Sequence, residues 1–296
     1  MKCRIWFAWV GLVPLVGAAC GSAKNTGYQA VVDAGTTRDA SVADVITPDT
    51  ADAADEVATD TGGSLFGDGA TSEAGGCNHL NIGIFGNPGA NASSDFQAWL
   101  TAAGTSVQRI QNMAPTAEIT AATLQPFDVV ILDWLTRDYT VAEATVFASW
   151  ISSGHGIVSM SGYDNVTTDD WHANSLLAPL EVAYSGPLLN GPVTTFATHP
   201  ITMGLTSVTF DGGYQISDLG GGASTRTPIA FLPDPEDAGN VPVAYAVQMG
   251  NGRAFVWGDE WISFDSEWST LPEIKQLWVQ VFAWIAPTNS CGLQPQ

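Results

Sequence analysis

The chain has 296 residues, 30 acidic against 9 basic side chains, a formal charge of −21 and only 13% charged residues. Its acidity comes from a scarcity of lysine and arginine, which argues against nucleic acid, whose phosphates need a basic surface, and against electrostatic docking on anionic lipid. With 45% hydrophobic residues, 11 Trp and 12 Phe, part of the chain can bury a large core.

Lys2 and Arg4 form a short positive region, followed by an apolar run from Ile5 to Val16 that is broken only by Gly11 and Pro14. Gly17-Ala18-Ala19 then precede Cys20. Residues 1–19 read as a secretory signal peptide, too short for a membrane span. A cysteine directly after small residues resembles the lipobox of bacterial lipoproteins, although Gly17 stands where leucine is usual. The resemblance implies that Cys20 is acylated and becomes the mature N-terminus, so that lipid supplies the membrane affinity. The protein would then sit in the bacterial envelope, at the outer membrane or cell surface; ordinary cleavage would instead leave it soluble and secreted. Cys3 departs with the signal peptide, which leaves Cys77 and Cys291 as a candidate disulfide around the folded segment.

Residues 20–76 change composition abruptly. Ten acidic residues face only Lys24 and Arg38, and Tyr28 and Phe66 are the only aromatics. Such a segment cannot bury enough apolar area to offset its ordering entropy. It reads as a disordered, self-repelling linker with a root-mean-square span of about 40 Å.

From residue 77 to 291 the pattern is that of one globular domain, with 292–296 as a tail. Asn81 to Phe85 predicts a strand, and Phe96, Trp99, Leu100 and Ala103 fall at helical spacing after Ser93-Ser94 as caps. Ser106 to Ile110 predicts a second strand, Thr120 to Leu124 a short helix, and the apolar run Asp128 to Leu132 a strand buried on both faces. Thr140-Val141-Ala142-Glu143 is a capping box that opens a helix to Gly154, and Gly156 to Met160 is the next strand. Four βα units in this order predict an α/β fold with a doubly wound, mostly parallel sheet. The second half predicts strands at 193–196, 207–210, 227–232, 241–248 and 253–257. A last helix follows, with Thr270 to Glu273 as its capping box and Ile274, Leu277, Trp278, Val281, Phe282 and Ile285 on one face.

A family resemblance enters here. Phe127-Asp128-Val129-Val130-Ile131 with Ala148 to Gly156, in this element order, resembles the class I glutamine amidotransferase-like superfamily, whose sheet is flavodoxin-like. Thr198-His199-Pro200-Ile201-Thr202-Met203-Gly204-Leu205 is similar to a segment of its ThuA-like branch. Amidotransferases carry a nucleophilic cysteine after the strand that corresponds to Gly156–Met160, and a histidine after a late strand. Here the elbow reads Ser159-Met160-Ser161-Gly162-Tyr163 and the late strand leads into Trp257-Gly258-Asp259-Glu260-Trp261. With neither thiolate nor base at these positions, glutaminase chemistry is not expected.

Several constellations compete for a function. Ser161 is a candidate nucleophile with His199 or His172 as base, or a plain turn serine. Asp164, Asp169, Asp170 and His172 form a weak candidate cation cluster, against the simpler reading that Asp169 or Asp170 caps the helix from Trp171 to Leu180. Asp133 and Trp134 end one central strand, and Asp259, Glu260, Trp261 and Trp268 follow another, where open α/β sheets place ligands. Carboxylates beside indoles suit a neutral polar small molecule or glycan, with Tyr163 and His199 as further contacts. Paired carboxylates would instead suit a hydrolase of envelope or extracellular polysaccharide. Both tryptophans closing the core, in a protein-interaction module, is the third reading. No cofactor and no resident metal are expected.

Overall fold

A computed structural model describes residues 78–87, 93–110, 118–162, 171–268 and 270–293. In the first half β1 (Asn81–Phe85), β2 (Ser106–Ile110), β3 (Val129–Leu132) and β4 (Gly156–Met160) alternate with α1 (Ser94–Ala102), α2 (Ala121–Leu124) and α3 (Val141–Ser152). The second half holds α4 (Asn174–Leu177), β5 (Val182–Asn190), β6 (Thr195–Phe196), β7 (Asp211–Asp218), β8 (Thr225–Pro233), β9 (Asn240–Met249) and β10 (Gly252–Trp257). The short α5 (Asp265–Trp268) and the long α6 (Pro272–Ile285) close the order.

Eight strands form one sheet in the order β2-β1-β3-β4-β10-β9-β8-β6. From β2 to β10 the pairs are parallel, and β9, β8 and β6 extend the sheet antiparallel. The α/β, doubly wound, mostly parallel sheet expected from the sequence is therefore present, with the flavodoxin-like order in its parallel half. Side-chain alternation divides the core into two layers. Ile82, Ile84, Val129, Ile131, Val158, Phe255 and Trp257 face α1 and α6, whereas Phe85, Val130, Leu132, Ile157 and Val256 face α2, α3 and α4. Both faces are apolar because helices cover both, which is why these strands read as continuous hydrophobic runs.

Four sequence expectations are corrected. The predicted strand at 193–196 shortens to Thr195–Phe196, and 207–210 contributes only the bridge between Val193 and Val208. The antiparallel ribbon of β5 and β7 had no counterpart in the sequence reading, because Gly186, Pro187, Gly212 and Gly213 interrupt its alternation. Ser93 makes no capping bond; Asp265 caps α1 instead, accepting from the Asp95 amide at 2.8 Å and the Ser94 hydroxyl at 2.7 Å. Thr270 forms no capping box either, since its hydroxyl donates to the carbonyls of Ser266 and Glu267 and Leu271 occupies the N-cap. The Thr140–Glu143 box forms as expected, with both reciprocal bonds.

Cys291 is disulfide-bonded. Cys77, its expected partner, lies outside the described residues, as do Cys20, the signal peptide and the linker. Asn78, the next residue, bridges Ser290, and its carbonyl accepts from the Cys291 amide at 2.9 Å, so the two ends of the domain run side by side. Among the described residues no helix is long and apolar enough to cross a membrane.

Candidate functional site

The crevice beyond the carboxyl ends of β3, β4 and β10 gathers several of the candidate residues. Trp134, Leu135, Met160, Ser161, Gly162, Ala173 and Glu260 surround a cavity of about 20 Å³, room for about one water molecule. Glu260 is 3% exposed, and its carboxylate lies so close over Gly162 that a Cβ there would meet Glu260 Oε1 at 2.7 Å. Ser161, 5% exposed, follows the edge of β4 on the same cavity. Trp134 holds a left-handed backbone, φ 34°, which turns the chain sharply at the end of β3, and its carbonyl accepts from the Asn87 amide at 3.1 Å.

The ribbon of β5 and β7 packs against the end of β10, beside the cavity. The Tyr214 amide donates to the Gly258 carbonyl at 2.8 Å, and the Asp211 amide donates to Asp259. Such close approach of β7 to the end of β10 requires glycine: a Cβ on Gly258 would fall 2.0 Å from the Tyr214 carbonyl oxygen. The Tyr184 hydroxyl donates to Ser159 Oγ at 2.8 Å within the core, joining the ribbon to β4.

The other carboxylates are committed to the fold. Asp259 is fully buried; Oδ2 accepts from the Asp211 amide at 2.8 Å and Oδ1 from the Trp261 amide at 3.1 Å. Burial pushes its carboxyl well above the usual range, against the backbone hydrogen bonds that lower it. Asp133, 2% exposed, pairs with Arg109 at 2.8 Å, and Arg109 also donates to the Asn87 carbonyl and Ser93 Oγ. Burial raises the Asp133 carboxyl too, outweighing the attraction of Arg109, and Asp133 Oδ1 and Arg109 Nε are buried without hydrogen-bond partners.

The aromatic candidates separate. Trp268 is core, 3% exposed, with its ring 4.8 Å from Trp99 and 5.4 Å from Phe96, so the expectation that it faces a ligand gives way to packing. Trp261 is half-buried with its ring 5.6 Å from Phe264. His199 is far from the elbow. Its Nδ1 accepts from the Ile201 amide, and its ring meets Trp284 at 5.1 Å. Burial, with help from the Arg253 charge, lowers its pKa. Arg253 opposes Gly156 at the amino end of β4, a strand length of about 15 Å from Ser161. The pairing of Ser161 with His199 is therefore not formed. His172 instead places Nδ1 2.8 Å from Asp138 Oδ1. Tyr163, Asp164, Asp169 and Asp170 lie outside the described residues. Among the described residues no three His, Cys, Asp or Glu side chains are grouped to hold a metal ion.

Arg109 and Arg253 were missed by the sequence reading. Each is a lone basic residue in a strand, and only the pairing of strands discloses what it faces.

No sequence family matches the chain, and no curated protein matches it in sequence. Its fold is similar to that of the N-terminal domain of mmIFT52, at 16% identity and a TM-score of 0.54, over 69% of this chain and 96% of that one. A cytoplasmic protein from Salmonella typhimurium LT2 is similar at 14% identity and a TM-score of 0.51, over 70% and 100% of the two chains. A ThuA-like protein from Parabacteroides merdae matches at 14% identity and a TM-score of 0.48, over 74% and 94%. At such identities the likeness is one of fold.

Proposed function

We propose that the domain is a non-catalytic binding module, with a neutral, hydroxyl-bearing small molecule or glycan as its ligand. One observation carries the reading: Trp134, Ser161 and Glu260 converge on a cavity of about 20 Å³ at the carboxyl end of the sheet, and no thiol or imidazole among the described residues lines it. The cavity admits one hydroxyl-sized group. A sugar hydroxyl placed there can donate to Glu260, while an indole face beside it covers C–H surface. A hydrolase would need a pair of carboxylates facing the substrate; Asp133 is tied to Arg109 and Asp259 to backbone amides, so that reading has less support.

The test is a titration of neutral mono- and oligosaccharides against the secreted protein in a Cys20→Ser background, read as a melting-temperature shift. Glu260→Gln and Trp134→Ala are expected to remove the shift while leaving the unliganded circular dichroism unchanged. If no neutral saccharide shifts the wild type, the reading fails. Attachment at the cell envelope through acylated Cys20, with residues 20–76 as the spacer, belongs to the same proposal. Its check is metabolic labelling with a fatty acid, expected in the wild type and lost in Cys20→Ala.

A further inference from the structure

The amino end of the sheet carries a second, larger cavity of about 460 Å³, within the size range of small-molecule sites. It lies where the turn from β9 to β10, the end of α3 and the end of α6 meet. Ser153, Gln248, Asn251, Arg253, Thr288 and Asn289 supply its polar lining. The wall formed by Thr288 and Asn289 is held in place, because Ser290 bridges Asn78 and the Asn78 amide donates to the Asn289 carbonyl at 3.1 Å.

The chemistry of this lining differs from that of the rest of the domain. Residues 77–296 hold 20 acidic and five basic residues, yet among the described residues no carboxylate lines this cavity and one guanidinium does. Arg253 donates from Nη1 to the Trp284 carbonyl at 2.7 Å, with its guanidinium 5.3 Å from the Trp284 ring. Among the described residues that bond is the one hydrogen bond the guanidinium makes, which leaves further N–H donors beside the cavity. Nor, among the described residues, do the side chains of Gln248, Asn251, Thr288 and Asn289 make hydrogen bonds. Three carboxamides and a hydroxyl both donate and accept, which matches a ligand rich in hydroxyls. The guanidinium adds a planar donor fork suited to a carboxylate. At physiological ionic strength charges more than about 8 Å away are largely screened, so the local guanidinium outweighs the domain's overall negative charge.

We infer that this amino-end cavity binds a small hydroxylated carboxylate, of the size of one acidic sugar, with Arg253 on the carboxylate and the carboxamides on the hydroxyls. The site is separate from the carboxyl-end crevice and does not depend on the function proposed for it. The experiment is isothermal titration of the intact secreted protein with D-galacturonate, D-galactose and acetate. Galacturonate is expected to bind about tenfold or more tightly than either of the others, since one lacks the charged acceptor and the other the hydroxyls. Arg253→Gln should lower galacturonate affinity about tenfold. Asn251→Trp, which fills the mouth of the cavity without touching the α6 cap, should abolish binding with the fold intact by circular dichroism. Glu260→Gln and Trp134→Ala should leave it unchanged, which separates failure here from failure of the crevice proposal. No binding of galacturonate at about 10 mM, equal binding of galactose or acetate, or binding that survives both Arg253→Gln and Asn251→Trp would each overturn the inference.

Discussion

At the carboxyl end of the sheet the Arg109 side chain is 9% exposed and holds Asp133 at 2.8 Å. At the amino end Arg253 gives one N–H to the Trp284 carbonyl and keeps others beside a cavity of about 460 Å³. The same side chain is spent on the fold in one place and left available in the other. Open α/β sheets ordinarily bind at the carboxyl end; here Trp134 and Leu135, Ser161 and Gly162, Ala173 and Glu260 close on that end and surround a cavity of only about 20 Å³. Fold position alone therefore does not say where a ligand fits, because the segments that follow the strands can occupy the usual crevice with the chain's own side chains.

The largest effect is expected from breaking the carboxyl-end pair. Arg109→Met leaves the Asp133 carboxylate buried without its counter-charge and should cost about 3–5 kcal/mol in urea denaturation. Adding Asp133→Leu should regain most of it, because two apolar groups leave no unpaired charge. A single variant as stable as the wild type would show that the pair is not what holds this end together. Gly258→Ala should cost about 3 kcal/mol, since the added Cβ meets the Tyr214 carbonyl and forces the ribbon away. Increased protease sensitivity of β5–β7 at unchanged sheet content would locate the damage.

The pair of Arg137 and Glu143 gives a pH test at the same end. The Arg137 hydrogen bonds hold the Glu143 carboxyl down to about 2, against an ordinary value of 4.5. A lowered carboxyl contributes stability that is complete above the ordinary value and is lost as pH falls toward the folded one, here about 3 kcal/mol between pH 4.5 and 2. Asp133 and Asp259, raised by burial, act with the opposite sign, so the measure is the difference between wild type and Glu143→Gln across acid melting curves. Equal slopes for the two proteins would remove the pair from the account. The smallest effect belongs to the amino end: Arg253→Gln loses a helix C-terminal contact and should cost about 1 kcal/mol or less. Arg109→Met and Arg253→Gln of equal cost would erase the contrast between the ends.

How far the sequence could be read depended on the range of the interaction involved. The Thr140–Glu143 box is legible because both bonds span three residues, and α6 because its apolar face repeats every turn. The caps supplied by Ser93 and Thr270 were misread because a distant carboxylate, Asp265, took one role and the carbonyls of the preceding turn took the other hydroxyl. Trp268 looked like a loop indole and is core, since its partners Phe96 and Trp99 come from a helix far away in sequence. At the site, Ser161, Glu260 and Trp134 were chosen from their places after strands, and the fold brings them together. His199 was chosen as a base for Ser161, in a segment similar to the ThuA-like branch, and lies at the other end, because a loop's destination is set by the elements it packs against.

The acidic balance with which the sequence begins is now divided by place. Composition, apolar runs and local caps determined the α/β class, the parallel core and the negative charge of the domain, because burial and local hydrogen bonding act over a few residues. Only the tertiary structure decided that Asp133 and Asp259 are consumed by the fold, that the segments after β3, β4 and β10 close the carboxyl-end crevice, and that a lone arginine stands where, among the described residues, no carboxylate lines the cavity. Those outcomes depend on contacts between residues tens of positions apart, and the strand order that creates them is not written in any local pattern.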